Sequence, residues 1–117
     1  MLRERAVELG RQIGQSTEYK AVKRANDSLH EDKVAVGLLE RMEGLRTEAQ
    51  KMIERGENPT PEMEQQLDDL LGQVQTNNTY QQVMVANENF DKVMQQVNQW
   101  ILEGMRKGAV SSIITLG

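Results

Sequence analysis

Two runs of apolar residues spaced alternately three and four apart constrain this chain more than any other feature. Between Asp32 and Arg55 the run is Ala35, Leu38, Met42, Leu45, Ala49 and Met52. Between about Thr79 and Arg106 it is Tyr80, Val83, Asn87, Phe90, Met94, Val97, Ile101 and Met105. Such spacing puts every member on one face of an α-helix and scatters them over both faces of a strand. Val93, Trp100 and Leu102 widen the second stripe beyond a strict coiled-coil seam, which predicts more than one packing partner. At ~1.5 Å per residue this helix is roughly 40 Å long, against the ~30 Å width of a small domain. It must project, or pair along its length.

Punctuation residues delimit the helices. Asp32 is placed to N-cap the first long helix, and Gly56 follows its last apolar turn as a C-terminal stop. Three shorter helices are predicted. Residues 2–14 carry Leu2, Ala6, Leu9 and Ile13; residues 17–29 carry Tyr19, Val22, Asn26 and Leu29. Residues 61–75 carry Met63, Leu67, Leu70 and Val74, with Thr60 as N-cap and Pro61 in the first turn. No segment alternates with period two except, at most, the tail. The expected fold is therefore all-α, a bundle of about five helices with two long antiparallel helices, oligomeric because three short helices are too few to cover both long seams. Residues 1–107 form one helical-bundle domain in this reading. Residues 108–117 form a C-terminal tail that Gly108 separates from the helix. That tail is uncharged and β-branched, so it either packs or frays on the bundle through Ile113, Ile114 and Leu116, or joins another subunit as a strand.

Composition removes most chemistry. The 117 residues include no cysteine and a single histidine, His30. Disulfides, thiol catalysis, the usual structural zinc sites and cysteine-held iron–sulfur clusters are excluded within this chain. His30, between Asp27 and Asp32, lacks the second imidazole of a di-metal bundle site and reads as a helix-end cap. Ser16, Ser28, Ser111 and Ser112 have only His30 to recruit for a triad, and no glycine-rich phosphate loop occurs. No enzyme activity, cofactor or metal is expected.

Charge is unevenly distributed. Residues 1–56 hold eleven Lys/Arg against ten Asp/Glu, whereas residues 57–103 hold Lys92 against eight acids. An acidic half argues against a phosphate-binding face, so no direct nucleic-acid binding is expected. No stretch approaches the ~20 apolar residues of a membrane span. With Arg3, Glu4 and Arg5 at the start instead of an apolar stretch, the expected location is cytoplasmic, with no membrane association.

What remains is surface for helices to share. The candidate core or interface residues are Leu38, Met42, Leu45, Tyr80, Phe90, Met94, Val97, Trp100 and Ile101. A buried Phe90 would lose about 3–5 kcal/mol on replacement by Ala. Asn26 and Asn87 each interrupt a seam, either fixing register at some cost in stability or marking where the seam turns to solvent. The seven methionines fall on helical stripes, as core or as an adaptable binding face. The Trp-x-Gly turn of small helical secretion proteins is absent, since the sequence here is Trp100-Ile101-Leu102.

The order of these signals resembles one family. Leu9-Gly10 with Ile13, then Ser16-Thr17-Glu18-Tyr19-Lys20, then Leu29 and Asp32, is similar to the opening of the YlbF/YmcA family of small helical bacterial proteins, which includes YheA. Tyr80, Ala86, Phe90 and Val97-Asn98 fall where that family places its apolar and Asn positions. The resemblance spans about residues 5–105. It implies an all-helical, homo-oligomeric regulatory or adaptor protein without catalytic residues. Members of the family act in competence, sporulation, biofilm formation and ribonuclease Y-dependent RNA processing. Their iron–sulfur clusters are held by cysteines, so that property does not carry over to this cysteine-free chain, and a YheA-like member is the nearer match. The alternative is a structural or chaperone-like helical oligomer that holds clients on Met- and Gln-rich faces.

Overall fold

The computed structural model describes the backbone of residues 1–116 and the side chains of residues 1–110. Five helices follow one another: α1 (Leu2–Gly14), α2 (Thr17–Glu31), α3 (Lys33–Glu54), α4 (Pro61–Thr76) and α5 (Asn78–Leu116). No strand occurs among the described residues.

Local chemistry sets the boundaries. Ser16, Asp32 and Thr60 each stand in extended backbone before a helix, and their side chains accept the amides of Tyr19, Ala35 and Met63. Asn77 does the same for α5, its Oδ1 accepting the Tyr80 amide at 2.9 Å. Each cap satisfies a donor that the first helical turn leaves unpaired. The end of α3 is a Schellman turn. Gly56 adopts φ +79°, the Glu57 amide donates to the Met52 carbonyl at 2.8 Å, and the Gly56 amide donates to the Ile53 carbonyl at 3.0 Å.

The last helix departs from the expected boundary. Gly108 does not end it: the backbone remains helical to Leu116, giving 39 residues. Gly in a helix interior costs only about 1 kcal/mol relative to Ala, too little to break a helix that has already propagated for about eight turns. The strand-like alternative for the tail is therefore replaced by helix. The packing suggested for Ile113, Ile114 and Leu116 lies outside the described side chains.

Packing is pairwise. Each long helix takes a shorter one as its main partner, α3 against α4 and α2 against α5. Leu38 and Met42 from α3 meet Leu70 and Val74 from α4, with Leu39, Leu45, Leu67 and Tyr80 around them. Ala25 from α2 meets Val83 and Ala86 from α5, flanked by Ala21, Val22 and Leu29. Alanines at that contact let the two backbones approach closely. α2 runs antiparallel to α5, because Ala25 lies with Val83 and Ala86 while Tyr19 lies against Phe90 further along α5. α1 contributes no buried residue and touches chiefly α2.

The molecule is extended. Its radius of gyration is 21.9 Å and its extents are 68 × 36 × 21 Å. A compact domain of this length has a radius of gyration near ~13 Å. The long axis is largely α5 itself, which at ~1.5 Å per residue spans roughly 58 Å.

Candidate functional site

Two features organise the surface: a polar clasp where three helices meet, and an apolar face that loses its cover. The clasp is Asp32. One carboxylate oxygen caps α3 by accepting the Ala35 amide at 3.1 Å, and the other accepts the Thr79 hydroxyl at 2.7 Å. The α2–α3 junction is thereby tied to the start of α5. The Thr79 hydrogen bond, and after it the Ala35 amide, hold the Asp32 carboxyl below its usual range. Thr79 was not singled out from the sequence, because nothing local announces a partner so far along the chain.

The apolar face runs along α5. Val83, Ala86 and Val97 are buried, and Phe90 and Met94 are half-buried between them. The Phe90 ring lies 5.5 Å from that of Tyr19, tilted by 56°. Four residues beyond Val97 the same face presents Ile101, and four further on Met105, both exposed. Trp100, at the edge of the face, is 60% exposed, and Met105 is 63% exposed. The change has a simple cause. Cover on this face comes from α2, which begins at Thr17, and Glu18 already shares a groove with Val93 and Trp100 at the far end of that cover. Beyond it α5 continues alone.

The sequence-chosen residues thus divide into three groups. Leu38 and Met42 are buried in the α3–α4 cluster, with Leu45 and Tyr80 packed at its margin. Phe90, Met94 and Val97 line the covered part of α5, while Trp100 and Ile101 lie in the uncovered part. Asn87 points to solvent, and Ala86 takes the seam position beside it; Asn26 is half-buried next to Ala25. The seam expected through Asn26 and Asn87 runs one position earlier in each helix, through Ala25 and Ala86.

Among the described residues, no group of three or more His, Asp or Glu side chains converges as for a metal ion. His30 donates through Nδ1 to the Asn26 carbonyl at 2.8 Å, within its own helix, as a helix-end residue does. The ion pairs Glu8–Arg11, Arg55–Glu57 and Glu103–Lys107 are local and exposed. Arg11 lowers the Glu8 carboxyl, and Glu8 in turn raises the Arg11 guanidinium. A shallow groove between α2 and α3 has Leu29, Val36, Leu39 and Met42 in it, with His30, Glu40, Glu43 and Arg46 alongside. Among the described residues, no helix is long and apolar enough to cross a membrane.

Paired helices, a projecting long helix and an uncovered apolar face define an all-helical protein whose most distinctive surface is one that another helix can cover. The family described as control of competence regulator ComK, YlbF/YmcA, matches residues 2–106, and the chain belongs to that family. The match covers every helix up to the distal part of α5. No curated protein matches the chain.

Proposed function

We propose that this protein is a non-enzymatic regulatory adaptor that assembles with itself through helices and docks on proteins of a regulatory or RNA-processing pathway. Membership in a competence-control family supplies the regulatory class. The observation that carries the adaptor reading is the uncovered apolar face of α5 at Trp100, Ile101 and Met105. Burial of such a face contributes roughly 25 cal/mol per Å² removed from water, so leaving it exposed forgoes a large stabilisation. Monomeric proteins rarely keep contiguous apolar patches beyond a few hundred Å². The domain in this reading is residues 1–107, and the protein works in the cytoplasm without cofactor and without direct contact to nucleic acid.

Affinity purification of the tagged chain from its native host tests the reading. An adaptor brings down one defined protein in stoichiometric amount, and substituting the exposed α5 residues abolishes that recovery. Broad suppression of aggregation of unrelated proteins, with no defined partner, would favour a chaperone-like role instead.

A further inference from the structure

We infer that the chain is hinged at one joint, where the α3–α4 hairpin turns as a unit against the α2–α5 pair, and that the hydrogen bond from Thr79 to Asp32 is the latch that sets the angle. This device is independent of the adaptor role proposed above.

The two halves have separate cores. Leu38, Met42, Leu70 and Val74 pack together in the hairpin, whereas Ala25, Val83 and Ala86 pack together in the pair, and no buried residue belongs to both clusters. The side chains that reach across stand beside the joint. Tyr80, three residues after Asn77, packs against the hairpin core, and Leu29, three residues before Asp32, shares a groove with Val36, Leu39 and Met42.

The covalent links between the halves are minimal. α2 passes to α3 through Asp32 alone, and α4 passes to α5 through Asn77 alone. Both residues are in extended backbone, with ψ 100° at Asp32 and 124° at Asn77. Ser16 and Thr60, which cap helices away from the joint, have ψ 151° and 154°. Between 100° and 151° lie about 50° of ψ through which the Asp32 elbow can turn inside the allowed β region. Two elbows side by side make an axis, and element-terminal residues of this kind are where hinges absorb their rotation. The hairpin is the lever. At ~1.5 Å per residue α3 is roughly 33 Å long, so a turn of roughly 10° carries its tip about 6 Å.

One side chain ties the two elbows together. Asp32 accepts the Ala35 amide with one oxygen at 3.1 Å and the Thr79 hydroxyl with the other at 2.7 Å. Thr79, then the Ala35 amide and, less strongly, Asn77 lower the Asp32 carboxyl, so both elbows meet at this carboxylate. Cap and latch use different oxygens, and removing the Thr79 hydroxyl releases the latch while the cap of α3 stays. The groove formed by Leu29 and His30 from α2 with Val36, Leu39 and Met42 from α3 lies in the angle between the halves. Its width follows the joint, so an occupant that favours one width shifts the latch equilibrium, and the latch shifts its affinity in return.

The absence of native cysteine makes the test direct. Spin labels on paired introduced cysteines give distances by pulsed electron paramagnetic resonance, with excess unlabelled chain added so that only distances within one chain are read. Asn58→Cys with Gln95→Cys spans the joint, and Asp27→Cys with Gln95→Cys lies within the α2–α5 pair; all three positions are exposed. The wild type is expected to give one narrow distance for each pair. Thr79→Val is expected to raise the share of chains at other Asn58–Gln95 distances about threefold or more, the bias of one partly exposed hydrogen bond. The Asp27–Gln95 distance and the helical circular dichroism at the assay temperature are expected to stay unchanged, and Thr79→Ser to restore the narrow distribution. An Asn58–Gln95 distribution that is the same in wild type and Thr79→Val overturns the latch. So does a Thr79→Ser chain as broad as Thr79→Val, because the hydroxyl is then not what holds the angle. Equal broadening of both pairs is general loosening and overturns the hinge.

Discussion

Replacing Phe90 by Ala separates a half-buried groove from a sealed core. Full burial would put the loss at about 3–5 kcal/mol, including the cavity left behind. The structure argues for less. Phe90 is half-buried at the α2–α5 contact, so the site stays open to water and no closed void forms. Deleting the ring returns on the order of 100 Å² of apolar burial, or about 2.5 kcal/mol at ~25 cal/mol per Å². The tilted contact with Tyr19 adds about 0.5–1.5 kcal/mol. Solvation of the opened groove and relaxation of neighbouring side chains offset part of this, leaving about 2–3 kcal/mol. Urea unfolding followed by circular dichroism measures it, with wild type and variant at the same chain concentration, because self-association, where it occurs, makes stability concentration-dependent. Tyr19→Ala and the double variant complete a cycle whose coupling should match the aromatic share. A loss below about 1 kcal/mol, or no coupling to Tyr19, would refute the packing described for this groove.

Leu70→Ala, in the α3–α4 cluster, should cost about 2–4 kcal/mol in the same assay. Gly56→Ala forces a Cβ into left-handed backbone at the end of α3 and should cost about 1 kcal/mol, although space around the site is open. Asp32 gives a pH signature. Its carboxyl is held below the unfolded value of about 4, so its stabilisation is fully present above that pH and is lost as pH falls through the lower, folded value. Melting temperatures of wild type and Asp32→Asn should therefore differ near neutrality and converge in acid; a gap that ignores pH would mean the carboxylate charge is idle. Thr79→Val should lower the melting temperature in the wild type and much less in Asp32→Asn, since both remove the same clasp.

Periodicity and punctuation were enough to place every helix start within a residue or so, because caps and seams are local signals. Ser16, Asp32, Thr60 and Gly56 act through hydrogen bonds or backbone angles a few residues away, and that chemistry is visible in the sequence. Seam registration was harder at two places. Val22, Ala25 and Leu29 keep the three-four spacing as well as Val22, Asn26 and Leu29 do, and Val83, Ala86 and Phe90 do so as well as Val83, Asn87 and Phe90. Counting alanine as a core residue resolves both. The close α2–α5 approach selects the small side chain at each position and leaves Asn87 to water.

The reach of local signals also explains what stayed hidden. Asp32 could be read as a cap, but its second oxygen binds Thr79, and only the folded chain brings those residues together. The end of α5 was misplaced because Gly108 is a stop signal whose weight depends on the helix before it. A short helix would fray there, whereas one already locked to α2 propagates through. Trp100 and Ile101 mark the further limit. Their hydrophobicity announces burial, yet α2 begins too far back to cover them, so the sequence states a requirement that the single chain does not meet. An apolar stripe specifies that a face be buried without naming what buries it. Where the covered half of α5 gives way to the uncovered half, therefore, the boundary of the chain's own core falls near the start of α2, and the stripe continues beyond it as exposed apolar surface at Ile101 and Met105.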